Sequence, residues 1–222
     1  MPEPPARPRY GLRVALFLSA AVLIFLVLNT LFAALNTLQR LKIVEAERDQ
    51  WQRPSEVLRA LDLQPGNVAA DLGCGAGYFA LKLSSSVGPR GSVLAVDIRT
   101  LSLLFVWIRA FQGGAHNVHV IAGDQDNPRL PAGAVDAVLI ANAYHEFHDP
   151  ERMLEFTFRA LRPGGRLVIV DRQAEPGGEG HNAPMSATVE VIRRKGFDIA
   201  GQNGDFIDRP GDAWWLVIAR KP

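Results

Sequence analysis

"DLGCGAGYF", residues 71–79, sets three glycines in five positions directly after the apolar run "NVAADL" (67–72). Glycine loses more freedom on folding than any other residue, so such a cluster needs a physical reason. Three would serve: a tight turn, close packing of a helix, or a ligand that must approach bare backbone. The run before the loop reads as a strand and "YFALKLSSSV" (78–87) after it as a helix. The glycines therefore occupy a strand-to-helix turn, where backbone N–H groups at the helix start face whatever fills the bend.

Outward from this turn the alternation continues. "GSVLAVDI" (91–98), "NVHVIAGD" (117–124), "AVDAVLIAN" (134–142) and "PGGRLVIVDR" (163–172) read as strands. "LSLLFVWIRAF" (101–111), "DPERMLEFTFRAL" (149–161) and "SATVEVIRRKG" (186–196) read as helices. Asp149 is placed to cap the second of these, with Pro150 in its first turn. "FDIAGQNG" (197–204) and "AWWLVIAR" (213–220) read as a closing antiparallel pair, with Trp214 and Trp215 packing on the sheet. Continuously apolar strands alternating with helices predict a Rossmann-like, doubly wound α/β domain with a mostly parallel sheet. Ligands of such sheets bind beyond the carboxyl ends of the strands.

The loop's neighbours narrow the ligand. The spacing is G-x-G-x-G, whereas the dinucleotide fingerprint needs G-x-G-x-x-G and finds Tyr78 at its third position. Nor does G-K-[ST] follow, so a P-loop is absent. Asp97 ends the second strand, where a carboxylate accepts hydrogen bonds from ribose hydroxyls. Asp71 precedes the loop; its charge would repel a phosphate and attract a sulfonium or amino group.

In order and spacing, "VAADLGCGAGYFALKLS", "GSVLAVDI", "GDQDNPRLPAGAVDAVLIANAYHEFHDP" and "ALRPGGRLVIVDR" resemble the successive motifs of class I S-adenosylmethionine-dependent methyltransferases, over roughly residues 50–220. The group containing small-molecule and quinone-type methyltransferases looks nearest. The resemblance implies a seven-stranded sheet with one antiparallel strand and S-adenosyl-L-methionine as cofactor. It also implies that Asp71, Gly73, Gly75 and Gly77 surround the methionine moiety, with Cys74 touching it through backbone. Asp97 would hold the ribose hydroxyls, Ile98 would pack beside adenine, Asp124 would bond the adenine amino group with Gln125 next to it, and Asn142 would line the transferred methyl.

Methyl transfer from a sulfonium needs positioning above all, and a general base only when the acceptor carries a proton. "NAYHEFHDP" (142–150) offers His145 as that base, with Tyr144 beside it and His148 as a substrate contact. The same histidines read equally as helix-capping or loop-bonding groups. H-E-F-H is one residue short of H-E-x-x-H, so the zincin motif is absent and no metal is expected. Asp171 and Arg172, ending the fifth strand, are further pocket candidates. "QAEPGGEGHNAPM" (173–185) is a glycine-rich loop that brings His181 as a second substrate contact or is simply flexible.

Upstream, "VALFLSAAVLIFLVLNTLFAAL" (14–35) carries no charge. At 1.5 Å per residue such a helix covers roughly 30 Å, the thickness of a bilayer's hydrocarbon layer. The expected organisation is a basic disordered tail (1–13), a transmembrane helix (14–35), a juxtamembrane stalk (36–53) and a catalytic domain (54–222). A cleaved signal peptide and a buried helix are the competing readings of the span. Arginines and lysines flank it on both sides, so charge leaves its orientation open. A cytosolic cofactor places the catalytic domain on the cytoplasmic face of a single-pass protein.

Composition agrees. Of 222 residues 48% are hydrophobic, enough for one core plus an appendage. Residues 1–42 are basic and the rest slightly acidic, which gives no electrostatic footprint for nucleic acid. A single cysteine excludes an internal disulfide. The sequence thus reads as a membrane-anchored methyltransferase with a small-molecule or lipid, quinone-like acceptor. A non-catalytic cofactor-binding module and a nicotinamide enzyme on the same sheet are the alternatives.

Overall fold

The computed structural model describes residues 10–173 and 184–222, and the chain divides into two compact units, Met1–Ala46 and Glu47–Pro222. The first unit is carried by α1 (Tyr10–Trp51), an unbroken helix that continues through the stretch expected as a stalk. Four of its polar side chains bond within the helix. Ser19, Asn29, Thr30 and Thr37 each donate to the carbonyl four residues back, at 2.8–2.9 Å. From Val14 onward α1 is long and apolar enough to cross a membrane, with a mean hydropathy of 2.5 in its apolar window. The helix begins at Tyr10, inside the expected disordered tail, and residues 1–9 lie outside the described residues.

In the second unit a short helix, α2 (Pro54–Ala60), precedes a seven-stranded sheet in the order β3-β2-β1-β4-β5-β7-β6. The strands are β1 (Val68–Leu72), β2 (Ser92–Asp97), β3 (Val118–Ala122), β4 (Val135–Ala141), β5 (Leu161–Arg172), β6 (Asp198–Ile207) and β7 (Trp214–Arg220). Only β7 runs against its neighbours, pairing antiparallel with both β5 and β6. The chain enters the sheet at its centre, winds outward to β3, then returns to lay β4 on the free side of β1. That reversal opens a crevice beyond the tips of β1 and β4.

Helices α3 (Tyr78–Val87), α4 (Thr100–Gln112), α5 (Pro150–Ala160) and α6 (Met185–Arg194) cover the two faces. One core layer holds Val57, Phe79, Leu83, Val106 and Trp214; the other holds Leu154, Ile192 and Trp215. Adjacent residues of a strand point to opposite faces, so the two tryptophans anchor opposite layers, each almost fully buried. Burying a large apolar side chain stabilises by roughly 1.5–3 kcal/mol, which makes this pair a main tie of the antiparallel edge. Asp149 caps α5 as its sequence predicts, accepting from the Arg152 N–H at 2.9 Å. β5 begins two residues earlier than expected because Leu161 already pairs with Val135 across an irregularity in β4.

Candidate functional site

The glycines after β1 turn out to have different reasons for being glycine. All three take positive φ: 73° at Gly73, 53° at Gly75 and 91° at Gly77. A Cβ on Gly73 would lie 2.4 Å from the Ala143 Cβ, so the β1 tip and the β4 tip touch there. One on Gly77 would press on Val106 of α4 at 3.1 Å. One on Gly75 would meet nothing within 4 Å. Packing requires two of the glycines, whereas a side chain on Gly75 would meet no neighbour.

The loop is held by its neighbour strand. Gly73 and Cys74 N–H both donate to the Val96 carbonyl at 2.9 and 3.0 Å. Gly75 N–H donates to Asp97 Oδ2 at 2.8 Å, while Asp97 Oδ1 accepts from Arg99 N–H at 2.8 Å. The Asp97 carboxylate, 4% exposed, is therefore a brace for the loop as well as part of the cleft wall. Each of its oxygens keeps acceptor capacity for a further donor. Cys74 is buried, and burial together with the Asp71 and Asp97 carboxylates pushes its thiol far up, so it stays protonated and inert.

The cleft itself encloses about 740 Å³, its open mouth included. Gly73, Asp97, Ile98, Asp124, Gln125, Asn142 and His148, all anticipated from sequence, line it. Arg99, Pro128, Glu146, Phe147 and Met153 line it too and were not anticipated. Met153 comes from α5 and the others from the turns and loops beyond the strands, where no motif marks them. Asp124 is not waiting free: Arg129 grips it through two hydrogen bonds of 2.9 Å.

Among the described residues two buried side-chain acceptors have no partner. Asn142 has φ 57°, a left-handed conformation that asparagine tolerates, and its Oδ1 is buried and unpaired in the cleft wall. Asp71 sends its side chain toward the start of α3, where the Ala80 N–H donates to it, and its Oδ2 is buried without a partner. Burial pushes its carboxyl up to about 7, partly offset by the Ala80 bond and the Arg48 charge. An unpaired buried acceptor costs about 1–3 kcal/mol, so the tips of β1 and β4 each carry an acceptor short of a donor.

Beyond β4 a short 3-10 turn, Tyr144–Glu146, separates residues read together in the sequence. Tyr144 goes into the core: it is 3% exposed, packs against Phe147 and Trp215, and its phenol bonds Thr188. Burial raises its hydroxyl to about 12. Placed there it does not reach the cleft, which corrects its assignment as a catalytic group. His145 sits beside the cleft. Its Nδ1 lies 2.7 Å from Asp171 Oδ1, and its backbone N–H donates to Asp171 Oδ2 at 3.1 Å. The Asp171 hydrogen bond raises the imidazole above the usual histidine value despite partial burial. Its Nε2 faces Glu146 of the cleft wall at 3.9 Å. His148 is mostly exposed and faces Asp126 at 3.3 Å. His181 lies outside the described residues, and among those described no three His, Cys, Asp or Glu side chains gather to hold a metal ion.

Comparison with known proteins follows this geometry. Residues 70–169 match the family described as methyltransferase domain. Among curated relatives, nocamycin O-methyltransferase of Saccharothrix syringae is 32% identical over 129 residues, 57% of this chain and 46% of that one. Demethylmenaquinone methyltransferase of Listeria monocytogenes is 25% identical over 122 residues, 55% of this chain and 51% of that one. The chain thus spans about half the length of these relatives. Among solved structures, a SAM-dependent methyltransferase from Aquifex aeolicus superposes with TM-score 0.70 at 23% identity, over 83% of this chain and 98% of that one. The cyclase SpnF superposes with TM-score 0.68 at 20% identity, over 77% and 80%. Likeness at that identity speaks for the fold alone, and chemistry must be argued from the site.

Proposed function

We propose that this chain, which carries a class I S-adenosylmethionine-dependent methyltransferase domain, is a membrane-tethered enzyme that methylates a small apolar acceptor of the lipid or quinone kind. The observation that carries the reading is the buried, unpaired Asn142 Oδ1 in the cleft wall, with the equally unpaired Asp71 Oδ2 at the adjoining tip of β1. A ligand with an ammonium group and a sulfonium fits that lack, whereas a pyrophosphate would worsen it. When bound, the cofactor supplies a methyl group on a good leaving group. Asp97 would hold its ribose, Ile98 and Pro128 its adenine, and the 73–77 loop with Asn142 its methionine end.

The protein's own work is then orientation and proton handling. Asp171 fixes His145 with Nδ1 toward the carboxylate, leaving Nε2 to accept a proton from the acceptor side next to Glu146. Arrangements in which a buried carboxylate orients an imidazole serve general-base catalysis on unrelated folds. Phe147 and Met153 give the cleft an apolar wall. The demethylmenaquinone methyltransferase relative and the span-length α1 both favour an apolar acceptor. A cytosolic cofactor sets the domain on the cytoplasmic side of the membrane.

Calorimetry of the detergent-solubilised full chain tests the cofactor reading. S-adenosylmethionine and S-adenosylhomocysteine should bind and NAD should not. Asp97→Asn should weaken binding about 10- to 100-fold, the loss of one charged hydrogen bond. Equal affinity in that variant, or preference for NAD, would overturn the assignment.

A further inference from the structure

Within the unit 47–222 the exposed large apolar side chains are not scattered. Among the described residues they are Ile98, Leu101, Leu104, Trp107, Phe111 and Val120, all from one segment of the chain. Leu101, Leu104, Trp107 and Phe111 are each at least half exposed and recur every three or four positions, so they form one stripe along α4. The inner face of the same helix buries Leu103, Val106 and Ala110 against the sheet. Helix α4 is therefore apolar on both sides, while a surface helix ordinarily turns polar residues outward. Helix α5, on the opposite face of the sheet, does so, with Glu155 paired to Arg159 and Glu151 to Arg194.

Charge and aromatic placement point to one kind of neighbour. From Ile98 to Gly123 there is no Asp or Glu, while Arg99, Arg109, His116 and His119 fall in that stretch. The Arg99 side chain is 62% exposed at the foot of α4. The Trp107 and Phe111 rings stack outward with centroids 6.2 Å apart. An apolar stripe bearing an outward tryptophan, in a stretch of chain that has bases but no acids, has the make-up of helices that lie in the headgroup layer. A soluble chain rarely keeps so continuous a patch without a covering partner.

We infer that the outer face of α4, with Ile98 at its foot, docks in the interfacial layer of an anionic lipid bilayer. The choice of lipid over protein rests on the membrane-tethered reading above, since α1 of the same chain is of span length. Ile98 belongs to both features: it is 58% exposed and it lines the cleft. Docking there sets the mouth of the cleft against the lipid, so an apolar acceptor enters past Ile98 without crossing water.

Tryptophan quenching by brominated lipid reads this contact directly. Of the four tryptophans, Trp214 and Trp215 are buried and Trp51 is half-buried. The difference between the full chain and its Trp107→Phe variant isolates the Trp107 signal. The full chain is reconstituted in vesicles of phosphatidylglycerol and brominated phosphatidylcholine, with phosphatidylcholine alone for comparison. The Trp107 signal should be blue-shifted and quenched, more so with the anionic lipid, and Leu101→Glu with Leu104→Glu should abolish both effects while leaving the fold unchanged by circular dichroism. A chain that floats with vesicles yet shows an unquenched Trp107 overturns the docking and leaves the anchor standing. Quenching in a chain that carbonate washes from the vesicles upholds the docking and removes the anchor. A chain that does not float at all overturns both. An unquenched Trp107 with an oligomer that the double variant dissociates assigns the face to a second copy and overturns the lipid contact.

Discussion

The two rims of the cleft lie at the same end of the same sheet and are built in opposite ways. On the β1–β2 side, backbone does the work: Val96 takes two N–H groups, Asp97 braces Gly75, and glycines admit close approach. On the β4–β5 side, side chains do it: Asn142 sits in a left-handed conformation with an unpaired oxygen, and Asp171 orients His145. The first rim is a rigid cradle of fixed dipoles suited to one invariant ligand. The second holds groups whose charge or orientation can change, as a reacting partner requires. A fold that binds one cofactor and varies its acceptor would divide its labour in this way.

The largest break in that comparison should come from the second rim. His145→Ala should slow methyl transfer to a hydroxyl or amine acceptor by about 100-fold or more, the usual worth of a positioned base. Cofactor affinity by calorimetry should not change, because His145 is not part of the first rim. In wild type the rate should fall as pH drops through a midpoint above the ordinary histidine value, because the Asp171 bond favours the protonated ring. Asp171→Asn should move that midpoint down. A pH profile unmoved in Asp171→Asn would show that the pair is merely structural.

The first rim should fail by packing. Gly73→Ala forces a Cβ to 2.4 Å from Ala143 at positive φ and should cost about 3 kcal/mol by thermal denaturation. Gly75→Ala meets no atom and should cost about 1 kcal/mol, from backbone strain alone. Similar losses in the two would erase the distinction between a glycine required by packing and one required only by its backbone conformation.

The effect that shows only as pH rises is expected at Asp71. Burial raises its carboxyl from 3.8 to about 7, so the folded protein resists ionisation while the unfolded chain does not. Its contribution to stability is full below about pH 4 and is lost as pH rises through about 7. Asp71→Asn should therefore gain up to about 4 kcal/mol at pH 8 relative to wild type, and little at pH 4. The same change should weaken binding of the cationic cofactor. A variant less stable at pH 8 would place the charge of Asp71 among the interactions that hold the fold.

Much of this was legible in the chain. The bounds of α3, 78–87, agree with those read from "YFALKLSSSV", since hydrophobic period and a glycine on either side mark both ends. The seven-stranded, mostly parallel sheet and its one antiparallel strand follow from alternating elements and a resemblance that covers nearly the whole domain. Tyr144 and His145 show the limit. Adjacent in sequence, they diverge because a single 3-10 turn sends one side chain into the core and the other to Asp171, 26 residues away. Likewise "LSLLFVWIRAF" reads as an ordinary core helix, and nothing in its period tells which apolar face the sheet covers.

What the sequence by itself determined is whatever depends on near neighbours along the chain. That includes the strand-to-helix turn at 71–79, the alternation of elements, the span-length apolar run and the acids at the strand tips. The tertiary structure decided what depends on residues far apart: which glycine touches Ala143 and which faces space, which carboxylate braces a loop, and which face of α4 lies bare. Local periodicity is written in the order of residues. Contact and burial arise only when distant segments meet in the sheet and compete for the same volume.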